Sequence, residues 1–152
     1  MARLENRIAL VTGAGQGIGR AIALAMAREG AALVIGDLNE TNASSVKKEI
    51  EGLGGKAPAL HADISNEESV QAMVEAALKE HGRVDILVNA AGRTLKKETA
   101  LLSETDWIAI LDTNLSGVLR ACQSFYEPLK RSGHGKVINI ASLASYVAFY
   151  QV

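Results

Sequence analysis

The fold of this chain is decided near its start by the stretch Ile8-Ala9-Leu10-Val11-Thr12-Gly13-Ala14-Gly15-Gln16-Gly17-Ile18-Gly19. Its first part, 8–12, is short and apolar and leads into glycines, which is typical of a fully buried strand. A helix is predicted behind the glycines because apolar residues recur there at helical spacing, namely Ile18, Ala21, Ile22, Ala25 and Met26. Gly30 ends this helix, since glycine adopts a left-handed backbone at little cost.

The same alternation of strand and helix continues to the end of the chain. Further strands are predicted at 32–36, 57–61, 84–88 and 137–140. Pro58 places the strand at 57–61 on a sheet edge, because proline cannot donate to the ladder. Alternating strands and helices without internal repeats predict an α/β fold with a doubly wound parallel sheet of Rossmann type. The expected strand order is 3-2-1-4-5, within a single dinucleotide-binding domain that spans residues 1–152.

The helices between these strands carry recognisable start signals. Asn39 or Thr41 can cap the second helix, and Ser65 with Glu68 has the spacing of a capping box for the third. Ser103 is the candidate cap of the longest helix, which is expected to run to about Pro128. Its predicted apolar face consists of Trp107, Leu111, Leu115, Val118, Cys122 and Phe125.

Composition narrows the classes of partner. The 152 residues carry a net charge of -1, so the basic surface expected of a nucleic-acid binder is missing. The longest purely apolar run, 21–27, is far shorter than the roughly 20 residues that cross a bilayer. A lone cysteine, Cys122, excludes an internal disulfide, and no Cys/His cluster has the spacing of a zinc site. We therefore expect a soluble cytoplasmic protein with a small-molecule ligand and no metal.

The glycine loop predicts a phosphate site. Between a strand and a helix, backbone N–H groups and the helix dipole attract a pyrophosphate. The pattern is T-G-x-x-x-G-x-G rather than G-x-G-x-x-G. Gly13 then allows the tight turn, Gly17 the approach to phosphate and Gly19 the packing of helix on strand, while Gly15 keeps the loop flexible. The alternative is a glycine-rich turn that binds nothing.

Asp37 indicates which dinucleotide binds. It ends the second strand, where a carboxylate accepts both hydroxyls of the adenosine ribose and repels the 2′-phosphate of NADP. Neither Ala14 nor Leu38 supplies the positive charge that a 2′-phosphate requires. NAD is therefore the predicted cofactor, unless Asp37 is only a turn residue at a strand end.

Five motifs in order resemble the short-chain dehydrogenase/reductase family. They are Thr12 to Gly19, Asp63-Ile64, Asn89-Ala90-Ala91-Gly92, Asn114 and Ser142. The resemblance implies that Asp63 and Ile64 flank the adenine and that the segment from Asn89 to Gly92 passes the nicotinamide ribose, with Asn89 also tying the sheet together. The full cofactor-binding set so predicted is Gly13, Gln16, Gly17, Ile18, Gly19, Asp37, Leu38, Asp63, Ile64, Asn89, Ala90, Ala91 and Gly92.

The resemblance also implies two catalytic positions. Asn114 would anchor a water of the proton relay, and Ser142 would donate to the reacting oxygen of the substrate. From the residues alone, three blander roles stay open: Asp63 as a helix cap, Asn114 as a satisfied core amide and Ser142 as a turn hydroxyl.

The sequence departs from the family after Ser142. The tyrosine that the family carries about thirteen residues later, and the lysine after it, do not follow, and Tyr146 and Tyr150 come too early. The expected function is an NAD-dependent oxidoreductase that moves hydride between cofactor and an alcohol or ketone, with these 152 residues inactive by themselves. The family implies a homotetramer, and truncation here would favour other oligomers or a complementary C-terminal fragment. The alternative is a non-catalytic NAD-binding module or interaction protein.

Overall fold

A computed structural model describes residues 2–146. Tyr150, which comes too early to match the family's tyrosine, lies outside them. The strands are β1 (Ile8–Thr12), β2 (Ala32–Asp37), β3 (Ala59–His61), β4 (Ile86–Asn89) and β5 (Lys136–Asn139). The helices are α1 (Gly17–Arg28), α2 (Glu40–Gly52), α3 (Glu67–His81), α4 (Glu104–Leu111), α5 (Gly117–Ser124) and α6 (Tyr126–Ser132), with a π-helical turn at Asp112–Ser116 and 3₁₀ turns at Thr99–Leu101 and Leu143–Ser145.

All five described strands form one parallel sheet in the order β3-β2-β1-β4-β5, which confirms the predicted topology. Alternate residues of β1 face opposite layers, because successive strand side chains point to opposite faces. Ala9 and Val11 pack with the buried residues of α1 and α2, whereas Leu10 packs with those of α3 and α5. The sheet therefore lies between two helical layers, and β3 is an edge strand as predicted. No helix within residues 2–146 is both long enough and apolar enough to span a membrane.

The buried face of α1 differs from the predicted one. The helix buries Gly19, Ala23 and Leu24, whereas Ile18 and Ala21 are exposed. Apolar residues occupy every side of this helix, so periodicity alone did not select a face. Gly19 decides it, because a residue without a side chain lets α1 approach the start of the glycine loop closely.

The helix caps partly confirm the sequence analysis. Asn39, rather than Thr41, caps α2 by accepting a hydrogen bond from the Asn42 N–H. The capping box predicted at Ser65 was wrong, because Asn66 caps α3 and accepts from the Ser69 N–H. Ser103 caps α4 as predicted, in a reciprocal capping box with Asp106. A short carboxamide at the N-cap serves as well as a hydroxyl, which explains the one-residue shift at α3.

The predicted long helix is divided by the π-helical turn at Asp112–Ser116. A π turn inserts an extra residue, which rotates the helix face that follows it. The expected apolar stripe is therefore wrong in part: Trp107 and Leu115 are exposed, while Phe125 is buried together with Gly117, Ala121 and Leu129. The turn also carries Asn114, which is exposed rather than embedded in an apolar stripe.

Candidate functional site

A cleft of about 1130 Å³ opens at the carboxyl ends of the central strands. Open parallel sheets bind ligands at the carboxyl ends of their strands, at the point where the strand order reverses. In this sheet the order reverses between β1 and β4. The loops after β1, β2, β3 and β4 all contribute to it. The residues that line it are Gly13, Gln16, Gly17, Ile18, Gly19, Asp37, Leu38, Asn39, Glu40, Asn42, Ala62, Asp63, Ile64, Ser65, Ala90, Ala91, Gly92, Arg93 and Thr113.

Three glycines shape the loop after β1, two through close packing and one through its backbone conformation. Gly13 has a φ of +63°, and a Cβ there would lie 2.5 Å from the Cα of Ala91. A Cβ on Gly19 would lie 2.1 Å from the carbonyl oxygen of Gly13. Gly17 also has a positive φ, of +54°, but a Cβ there would meet no atom within 4 Å. Packing therefore requires Gly13 and Gly19, whereas Gly17 presents its backbone to open space at the first turn of α1.

Gly15 has a role that the sequence did not reveal. Its N–H donates to Oδ2 of Asp37 over 2.7 Å, and a Cβ on Gly15 would lie 2.7 Å from the carboxyl carbon of Asp37. Oδ1 of Asp37 accepts from the Asn39 N–H at 2.9 Å. The glycine is thus held against the carboxylate and does not simply keep the loop flexible. Each carboxylate oxygen retains a further acceptor position, so Asp37 can still receive hydroxyl donors from the cleft.

Asp63 is held as an acceptor in the loop after β3. Its Oδ1 accepts from the Ser65 hydroxyl at 2.6 Å and from the Ser65 N–H at 2.9 Å. The Ser65 hydroxyl is the main cause that lowers the pKa of Asp63 below its ordinary value, and the charge of Arg120 acts in the same direction. Asp63 does not cap α3, because Asn66 does so. Asp63 therefore presents an ionised carboxylate to the cleft.

Thr12 organises the loop after β4. Its hydroxyl lies at the end of β1, is fully buried and accepts from the N–H groups of Ala90 and Ala91, both at 3.2 Å. Asn89 reaches across the sheet, where its Nδ2 donates to Oδ1 of Asn139 at 2.8 Å. Asn89 thus joins β4 to β5 and does not line the cleft, while Ala90, Ala91 and Gly92 do.

Asn114 and Ser142 also lie outside the residues that line the cleft. The Asn114 amide grips the backbone of Arg93 at two points: Oδ1 accepts from the Arg93 N–H, and Nδ2 donates to the Arg93 carbonyl, both at 2.9 Å. The Ser142 hydroxyl is exposed and accepts from the Ala144 N–H at 3.1 Å, and within residues 2–146 it donates to no acceptor.

Several lining residues were not predicted: Asn39, Glu40, Asn42, Ala62, Ser65, Arg93 and Thr113. Most of them adjoin predicted site residues at strand ends, so the extent of the loops was the signal that could have identified them. Their charges are unevenly distributed. Glu40 joins Asp37 and Asp63, whereas Arg93 is the one cation among these lining residues and belongs to the loop after β4.

The chain resembles known proteins over nearly its whole length. Residues 7–152 match the family model described as short chain dehydrogenase. Among curated relatives, the D-threitol dehydrogenase of Mycolicibacterium smegmatis is 40% identical over 98% of this chain. The 3-oxoacyl-(acyl-carrier-protein) reductase FabG of Thermotoga maritima is 36% identical over 93% of it. The chain spans 57% of the length of each of these two relatives.

Solved structures agree with this assignment. The crystal structure of a putative short-chain alcohol dehydrogenase from Sinorhizobium meliloti superposes with a TM-score of 0.92 at 34% identity. The match covers 97% of this chain and 59% of that one. Together with the sheet order, the glycine loop and the family model, these matches establish that the chain belongs to the short-chain dehydrogenase/reductase family.

Proposed function

We propose that the cleft binds NAD and that the protein transfers hydride between NAD and an alcohol or ketone. The observation that carries the proposal is the hydrogen bond from the Gly15 N–H in the glycine loop to the Asp37 carboxylate. This bond places the backbone N–H groups of the first turn of α1 beside a carboxylate at the end of β2. Such a pair suits a diphosphate and the ribose next to it. The nicotinamide of the bound cofactor supplies the hydride chemistry.

In this proposal each loop contacts a different part of the cofactor. The amides near Gln16, Gly17, Ile18 and Gly19 hold the diphosphate, and Asp37 accepts the ribose hydroxyls beside Leu38. Asp63 accepts from the adenine amine next to Ile64. Ala90, Ala91 and Gly92 pass the nicotinamide ribose, and Asn89 fixes their strand from behind.

Charge supports NAD over NADP. Asp37 and Glu40 both line the adenosine end of the cleft, and a 2′-phosphate placed there would meet two negative side chains. Leu38, the next residue after β2, offers no positive charge. Glu40 thus adds to the preference that Asp37 already favours.

Chemistry is assigned to Ser142 and Asn114. The exposed Ser142 hydroxyl donates its proton to the reacting oxygen, and Asn114, which lies in the π turn, anchors a water of the proton relay. The resemblance implies that proton transfer also needs a tyrosine about thirteen residues after Ser142 and a lysine after it, and residues 143–152 contain no lysine. We therefore expect these 152 residues to bind NAD as one domain without turnover. The relatives named above are a dehydrogenase and a reductase, which supports an alcohol or ketone substrate for the whole protein.

Assembly forms part of the same proposal. The apolar residues Trp107, Leu115 and Leu119 are exposed on α4, the π turn and α5, and they favour a homo-oligomer over an isolated protomer.

Calorimetric titration of the 152-residue chain tests the binding step. We expect NAD to bind more tightly than NADP. In Asp37→Ala, NAD should bind about ten- to a hundredfold more weakly, because charge-assisted hydrogen bonds to the ribose are lost. Glu51→Gln is the matched control, because it removes a carboxylate from the far end of α2 and should leave the affinity unchanged.

The outcomes separate the candidate functions. Absence of binding for both dinucleotides would defeat the proposal and the alternative of a non-catalytic NAD-binding module together. Hydride transfer by the whole protein, followed as nicotinamide absorbance with simple alcohols, would favour the oxidoreductase. Binding without any turnover in that whole protein would favour the binding module.

A further inference from the structure

Arg120 lies behind the loop after β3, which carries Asp63 and Ile64 and is called the adenine loop below, and the proposed function gives Arg120 no role in the cleft. It projects from α5, and its Nη1 donates to the carbonyl oxygen of Ile64 at 3.3 Å. Its Nη2 pairs with Oδ1 of Asp112 at 2.5 Å. Neither Arg120 nor Asp112 lines the cleft, so the guanidinium reaches the loop from the protein side.

Gly117 reinforces the same contact one helical turn earlier. A Cβ on Gly117 would lie 2.9 Å from the carbonyl oxygen of Ile64 and 2.9 Å from its Cγ1. Residues three apart share a helix face, so Gly117 and Arg120 meet the loop together. The glycine admits the Ile64 backbone against α5, and the arginine then binds its carbonyl. Ile64 itself is 5% exposed, which shows how closely the loop is packed there.

The same helical segment also holds the other end of the cleft. Asp112, the partner of Arg120, begins the π turn, and Asn114 within that turn grips the backbone of Arg93. One continuous helical element therefore fixes the loop after β3 and the loop after β4. Asp63 itself is bonded to Ser65 and, through its backbone N–H, to the Ser69 hydroxyl of α3 at 2.9 Å, so the helical element acts on Asp63 through its neighbour Ile64.

We propose that Arg120 and Gly117 are positioning residues for adenine recognition: they hold the Ile64 backbone so that the neighbouring Asp63 carboxylate meets the exocyclic amine of the cofactor. The inference rests on the proposed function, because it requires a dinucleotide in the cleft. It predicts that loss of either contact lowers the preference of the cleft for adenine over other bases, in addition to any effect on the stability of the fold.

The test compares two dinucleotides in the 152-residue chain. NAD carries the exocyclic amine, whereas nicotinamide hypoxanthine dinucleotide carries a carbonyl that a carboxylate repels. For the unsubstituted chain we expect NAD to bind about tenfold more tightly, the ratio that one lost hydrogen bond to a charged acceptor gives. In Arg120→Met and in Gly117→Ala, NAD should bind about fivefold more weakly as fewer molecules hold the competent loop, and the ratio should fall toward one.

Two substitutions serve as matched controls. Arg131→Met removes an exposed arginine from α6, and Gly52→Ala adds a Cβ at the end of α2, where it meets no atom within 4 Å. Both should keep the full ratio. Hydrogen exchange of the free chain gives a readout without ligand: the amides of 63–65 should exchange faster in Arg120→Met than in Arg131→Met.

The results decide separately on the inference and on the function beneath it. Failure of the unsubstituted chain to bind either dinucleotide would defeat the proposed function. Normal binding with an unchanged ratio and unchanged exchange in Arg120→Met would overturn the inference alone. Should Arg120→Met not fold, Gly117→Ala decides by the same ratio.

Discussion

The half of the sheet that contains β1 and β2 and the half that ends at β5 differ in how they are held in place. In the first half, β1 and β2 are almost wholly buried, and the glycine loop between β1 and α1 is fixed by close backbone contacts. In the β5 half, all residues of β5 and half of those of α4 are exposed, and the loop after β4 is held by individual polar contacts such as the two hydrogen bonds between the Asn114 amide and the Arg93 backbone. The part of the cleft formed by the loops after β1 and β2 therefore depends on packing, whereas the part formed by the loop after β4 depends on a few hydrogen bonds.

The largest difference between the two halves of the sheet is expected when one isoleucine in each half is replaced by alanine. Ile35 lies in β2 and is fully buried, whereas Ile138 lies in β5 and is 45% exposed. We expect Ile35→Ala to lower the free energy of unfolding by about 4 kcal/mol, because it leaves a cavity in the core. Ile138→Ala should cost only about 1 kcal/mol. Urea unfolding of both variants measures the difference, and equal costs would contradict the contrast.

The next largest effect is expected at the glycine loop. Gly19→Ala places a Cβ 2.1 Å from the Gly13 carbonyl oxygen, and we expect a loss of about 3 kcal/mol together with the loss of NAD binding. Gly52→Ala is the matched helical control and should stabilise the chain by about 0.5 kcal/mol, since alanine favours helices. Urea unfolding and titration with NAD check both variants. A mild Gly19→Ala phenotype would mean that α1 can move away from the loop.

The half of the sheet with β1 and β2 was predicted from the sequence better than the half that ends at β5, for a physical reason. β1, the glycines and Asp37 follow local rules of burial, turn geometry and charge, and these predicted the first strand, the glycine loop and its acidic partner. Asp63, Ile64 and the segment after β4 were predicted from the resemblance to the family. The rotation of the apolar face after residues 112–116 comes from a π turn, which no local pattern signalled. The roles of Gly15, Thr12 and Arg120 arise from contacts between segments far apart in the chain, so periodicity and motif spacing could not identify them.

A smaller effect is expected when the hydrogen bonds between the Asn114 amide and the Arg93 backbone are removed. Asn114→Ala removes two hydrogen bonds to the backbone of Arg93, and because the site is exposed we expect a loss of about 1 kcal/mol. The local effect should be larger, with faster hydrogen exchange at the Arg93 amide. Gln123→Ala, at an exposed position of α5, is the control and should change neither quantity. Unaltered exchange at Arg93 would show that the loop is held by something else.

The smallest effect concerns the contact between the loop after β4 and α4. Oδ2 of Asp106 accepts from Lys97 and from the Ser103 hydroxyl, both at 2.7 Å, and these bonds, with that of Lys97 the larger cause, lower the pKa of Asp106 to about 2. A folded-state pKa below the ordinary value stabilises the fold above about pH 4, and this contribution is lost as the pH falls through about 2.

Titration of the Asp106 carboxyl by NMR should therefore give a midpoint near pH 2. Lys97→Met should raise that midpoint toward 3.8, because it removes the main donor to the carboxylate. Added salt should do the same to a lesser extent, since the pair is accessible to solvent. Lys130→Met removes an exposed cation on α6 and should leave the midpoint unchanged. A midpoint that Lys97→Met does not move would assign the lowered pKa to the Ser103 cap alone, and the loop after β4 would then lose one of the polar contacts that distinguish it from the glycine loop.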